Sequence, residues 1–103
     1  MKYLLYPDIT EDNKEMLVAC FLVDSLENYA SEKQKIREQL IKNNDILSDK
    51  LTEVILITRE GKAAGNFYYV NKKMDDIILN FTTNVEVRKD IAKKINKEGK
   101  TIQ

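Results

Sequence analysis

The sequence predicts an α+β domain: an N-terminal helix or helix pair preceded by a short strand, then a three-stranded antiparallel meander, then a C-terminal helix. Three observations carry this reading. Val54-Ile55-Leu56-Ile57-Thr58 is an unbroken β-branched and aliphatic run, suited to a pleated surface covered on both sides. Two further short apolar runs follow it across polar turns. Beyond them Val87, Ile91 and Ile95 recur every four residues, the spacing of one helix face.

Taken in order, Lys2-Tyr3-Leu4-Leu5-Tyr6 alternates as a short strand that Pro7 is expected to end. Asp8 and Thr10 are candidate helix caps, with Glu11 and Asp12 suited to a first turn. The run Met16–Val23 is apolar throughout, and periodicity alone does not separate helix from strand there. Helix is the expectation, because Ala19, Val23, Leu26 and Ala30 continue one stripe past its end. A strand is the alternative, with Asp24-Ser25-Leu26-Glu27 capping a helix just after it. Leu26, Tyr29, Ala30, Ile36, Leu40 and Ile41 mark one helical face through Asn43, opposite Glu32, Lys33, Lys35, Arg37 and Glu38. Ser31 permits a break, so one long helix or two can fill residues 10–43.

Arg59-Glu60-Gly61-Lys62 is the first turn of the meander, and Gly61 accepts a positive φ at no steric cost. Phe67–Val70 is the second predicted strand, Asn71–Asp76 its connection and Ile77–Phe81 the third strand. Thr83 and Glu86 have capping-box spacing, and Gly99 supplies a helix stop. The expected layout is one domain over 1–103, helical over 8–51 and sheet plus helix over 52–99, with the helices on one side of the sheet.

Composition narrows the chemistry. The 103 residues hold 17 basic and 17 acidic side chains, which argues against a strongly electrostatic nucleic-acid binder. The charge is polarised. Residues 1–30 hold two lysines against six acids, a net of −4, whereas 88–100 hold six basic residues against two acids, a net of +4. Lysine (14) far outnumbers arginine (3), and isoleucine is frequent, as an AT-rich genome writes. A low-GC bacterium, or a phage or mobile element within one, is the expected source. The longest apolar run is eight residues, too short to span a membrane, and the N-terminus lacks signal-peptide flanks, so a cytoplasmic location is expected.

With no histidine, the Ser-His and Cys-His triads and nearly all zinc sites are excluded. The single Cys20, inside an apolar run, reads as a buried inert thiol. No Walker or dinucleotide-binding glycine pattern is present, so no catalytic residue, metal or cofactor is expected.

Binding candidates remain. Lys89, Lys93, Lys97 and Lys100 recur at spacings of four, four and three, which on one helix makes a basic stripe. The bland alternative is a solvated helix end whose lysines suit the dipole. Tyr68 and Tyr69 point to opposite faces of a predicted strand, so one is a candidate exposed contact and the other core. Arg59, Lys62, Lys72 and Lys73 are turn cations, either contacts or solubilising groups.

The predicted order of strand, helices, meander and helix resembles that of the RelE-like ribonuclease toxins. That resemblance implies acid–base work on mRNA, with Arg59, Lys62, Tyr68, Tyr69 and Arg88 as the residues of the appropriate type. Helix, three strands and helix is also similar to double-stranded-RNA-binding domains and to the Alu-binding proteins of signal recognition particles. Balanced charge, small size and the missing catalytic residue types favour a different expectation. It is a non-enzymatic regulator or inhibitor that binds a partner protein, with RNA binding or cleavage the alternative. Two open sheet edges and the surplus apolar surface of Met16–Val23 predict a homodimer.

Overall fold

The computed structural model describes residues 1–9, 15–43, 50–64 and 84–102. They form strands β1 (Lys2–Ile9) and β2 (Glu15–Leu22), helix α1 (Tyr29–Lys42), and strands β3 (Leu51–Ile57) and β4 (Ala63–Ala64). Helix α2 (Val85–Glu98) and strand β5 (Lys100–Thr101) complete the chain. The class is α+β, with a mixed sheet in the order β4-β3-β2-β1-β5.

Residues 16–23 are the main correction. They are not helix: Glu15–Leu22 is the central strand, antiparallel to β1 and parallel to β3 through α1. An all-apolar run is what a strand needs when both of its faces are covered. Ala19 and Phe21 lie on one face with Ile36 and Leu40 of α1, whereas Val18 and Cys20 lie on the other with Ile91, Ala92 and Ile95 of α2. The helices therefore sit on opposite faces of the sheet, not on one side. Val18, Ala19, Phe21 and Cys20 are all buried, so the surplus apolar surface expected to drive dimerisation is absent there. The anticipated stripe fails at Ala30, which is exposed at the start of α1.

The predicted first strand runs through Pro7 to Ile9, so Asp8 is strand and caps no helix. The carbonyl of Met1 accepts from Ile102 N on the β5 side. Alternation along β1 then turns the backbone groups of Tyr3, Leu5, Pro7 and Ile9 the same way, away from β2. Pro7 lacks its N–H on the edge where, among the described residues, no strand needs it.

Among the described residues, β3 is not the edge of a purely antiparallel meander. It is parallel to β2 on one side and, among the described residues, pairs with β4 on the other at Leu56–Ala64 and Ile57–Ala63. The expected strands Phe67–Val70 and Ile77–Phe81 lie outside the described residues. The order on which the likeness to RelE-like toxins rests is thus not the order observed.

Two predicted turn and cap features hold, and one shifts. Gly61 has φ +86° and Gly99 caps α2, its N–H bonded to Ile95 O at 2.8 Å. The N-cap of α2 is Asn84 rather than Thr83: its Oδ1 accepts from Glu86 N at 2.9 Å and from Val87 N at 3.4 Å.

A bulge ties α1 to the sheet. Leu17 pairs with Leu51 and Val18 with Glu53, so Thr52 is an extra residue in β3. Arg37 Nη1 of α1 donates to Leu51 O at 3.2 Å. The buried Glu53 carboxylate receives Lys33 Nζ at 2.5 Å, Arg37 Nη2 at 3.8 Å and its neighbour's amide, Val54 N, at 2.8 Å. A buried carboxylate is tolerated only with such partners.

Candidate functional site

Helix α2 is held at three places. Its apolar face, Ile91, Ala92 and Ile95, is buried against Val18, Cys20, Ile55 and Ile57. At its first turns Arg88 Nε donates to Gly61 O at 2.5 Å. At its last turn Lys2 Nζ donates to Asn96 O at 2.6 Å, a cation on the negative end of the helix. The opposite face is consequently a fixed outward ridge.

The predicted basic stripe is redistributed on that ridge. Lys89 is spent locally: its Nζ lies 3.4 Å from Glu86 Oε1, and its stem covers Gly61. Lys93 and Lys97 are exposed. Lys100 is not on the helix at all, because Gly99 ends α2 and Lys100 pairs with Tyr3 in β5. It is exposed nonetheless. Lys94, not singled out from the spacing, is exposed beside Lys93. Asp90 lies in the N-terminal half of the same helix, and Lys93, Lys94, Lys97 and Lys100 outnumber Glu98 beyond it, so net positive charge concentrates in the C-terminal half and β5. Lys93, Lys94, Lys97 and Lys100 form no ion pair among the described residues.

The remaining candidates separate. Lys62 is exposed in the β3–β4 turn. That turn is built on Thr58, whose Oγ1 accepts from Lys62 N and whose carbonyl accepts from Gly61 N. The exposed Glu60 carboxylate is held below the usual range, first by hydrogen bonds to its own backbone and Thr58, then by Lys62 and Arg59. Arg88 is occupied by Gly61 and serves the fold. Tyr68, Tyr69, Lys72 and Lys73 lie outside the described residues.

Arg59 faces a second feature, which sequence reasoning missed. A cleft of about 580 Å³ opens where β2 and β3 end and α1 begins, lined by Leu22, Val23, Asp24, Asn28, Glu32 and Arg59 among others. Lys2 and Asn96 line it as well. No local motif marks it, since it gathers four separate stretches of chain. The available signal was the parallel β2–α1–β3 unit, because open sheets leave crevices at the carboxyl ends of such strands.

Two buried groups are poor candidates for chemistry. Burial pushes the Cys20 thiol up to about 12, far from the thiolate a nucleophile needs. Tyr6 is pushed to about 12, chiefly by burial and then by Cys20 and Glu98, and its hydroxyl has no hydrogen-bond partner among the described residues. No group of three or more His, Cys, Asp or Glu among the described residues is placed to hold a metal ion. Among those residues no helix is long and apolar enough to cross a membrane.

Comparison with known proteins adds no relative: no family model, curated protein or solved structure matches the chain.

Proposed function

We propose that this chain is a non-catalytic binding module that docks an acidic partner protein through the C-terminal half of α2 and β5. One observation carries the reading: Lys93, Lys94 and Lys97, on a helix locked from beneath, and Lys100, in the strand that follows it, are exposed and unpaired among the described residues. The backbone that carries Lys93, Lys94 and Lys97 is already ordered, so only the side chains are left to order when a partner arrives. They steer an acidic surface by speeding encounter, more than by adding bond strength. A regulator or inhibitor from a phage or mobile element is the role that fits a chain of this size and composition.

A protein is favoured over nucleic acid because the chain is neutral overall and strongly basic only locally. The test compares wild type with a K93Q/K94Q/K97Q variant as bait in a low-GC bacterial extract. Capture is run at low and high salt, with retained protein and RNA both identified. An acidic protein held by wild type, released by salt and lost from the variant is the expected result. Equal retention by both baits removes the ridge as the docking surface. Enriched RNA in place of protein moves the reading to a phosphate backbone, where each lysine lost lowers the salt slope by about one.

A further inference from the structure

We infer that the cleft at the carboxyl ends of β2 and β3 binds a small zwitterion of the amino-acid class, either a free amino acid or a short peptide. Its position comes first. β2 and β3 are parallel neighbours, and the chain leaves both on the same side of the sheet. Their diverging connections leave a crevice, with β1 beginning beside it and α1 starting above it. Its volume of about 580 Å³ is within the usual range for small-molecule sites, roughly 300–1,000 Å³. Leu22 and Val23, both half-buried, supply an apolar floor.

The charges select the ligand. Arg59 lines the cleft, as do Asp24 and Glu32. None of the three enters an ion pair at 4.0 Å or less among the described residues, so cation and carboxylates share a cavity without neutralising one another. A ligand carrying one charge of each sign satisfies both kinds of group. A guanidinium takes a carboxylate in two parallel hydrogen bonds, and two carboxylates suit an ammonium. A simple anion would meet Asp24 and Glu32, and a simple cation would meet Arg59. The Lys2 ammonium is turned onto Asn96 O and leaves Arg59 as the anchor for the acid group. Asn28, the N-cap residue of α1, makes no capping bond with its side chain, whose amide is left for the ligand.

The experiment is calorimetric titration of the full chain with the common L-amino acids and a set of dipeptides. Each binder is then compared with its N-acetylated and C-amidated forms. At least one free zwitterion should bind, and either modification should weaken it by about tenfold or more, the scale of one lost charge-assisted contact. R59Q should abolish the penalty for C-amidation, and E32Q should reduce that for N-acetylation. Both side chains reach solvent, so both variants should keep the unliganded melting temperature. Absence of binding by every member of the panel overturns the assignment. So does binding that R59Q leaves unchanged, or an N-acetylated form that binds as well as the free amino acid.

Discussion

Arg88 Nε donates to the main-chain carbonyl of Gly61 across 2.5 Å, fastening the start of α2 to the turn between β3 and β4. Gly61 is at φ +86°, and a Cβ there would stand 2.9 Å from Val85 O and 3.0 Å from Lys89 Cγ. Backbone conformation and close approach both demand glycine.

Gly61→Ala is therefore expected to destabilise the fold by about 2 kcal/mol or more, from a left-handed φ plus a clash with backbone. Arg88→Ala should cost about 1–3 kcal/mol, the worth of a charged hydrogen bond to a carbonyl left without it. Urea unfolding measures both. The double variant should lose less than the sum, because both changes open the same contact.

Glu53 is the buried charge on which α1 depends. Glu53→Ala should cost about 3 kcal/mol, since it removes the partner of Lys33 and Arg37 and the acceptor for Val54 N. Lys33→Met should cost clearly less, because Arg37 and Val54 still serve the carboxylate. Equal losses in denaturant titration would mean that Lys33 alone compensates the buried charge.

The two cores should be independent. Leu40 packs α1 on one sheet face and Ile95 packs α2 on the other. Leu40→Ala and Ile95→Ala are each expected to cost about 2–5 kcal/mol. Their effects should add to within about 0.5 kcal/mol, as for separated sites. Strong coupling between them would contradict helices on opposite faces.

Alkali should unfold the protein through the sheet. Cys20 is held at about 12 against an ordinary 9.0, and Tyr6 at about 12 against 10.0. Both folded values lie above the unfolded ones. The stability they carry is full below pH 9.0 and is lost as pH rises from there through about 12. Cys20→Ser should flatten the first part of that decline. In the native state at neutral pH, Cys20 should react with a thiol reagent only at the rate of unfolding.

Much of this was legible locally. β3 is an apolar run bounded by a turn, and Ile36, Leu40, Ile91 and Ile95 stand at helical spacing. The positive φ of Gly61 and the stop at Gly99 follow from residue type. The basic ridge was half legible. Its exposed lysines follow from the helix period, but the loss of Lys89 to Glu86 and the move of Lys100 into β5 do not. The cleft was not legible, because it exists only where strand ends from distant stretches meet.

By itself, the sequence determined the elements whose pattern is their own: an amphipathic helix shows one apolar face whatever it meets. It also determined what is lacking, since a chain without histidine has no imidazole to place anywhere. Tertiary structure decided the rest. Met16–Val23 is apolar on every side, so nothing local distinguishes a strand between two helices from a buried helix; flanking β1 and β3 decided it. Pro7 ends a strand or lies within one according to whether a neighbour needs its missing N–H, and only the sheet order answers that. The physical reason is the same in both cases: backbone hydrogen bonds in a sheet are made to other segments, so a strand's identity belongs to its partners as much as to itself.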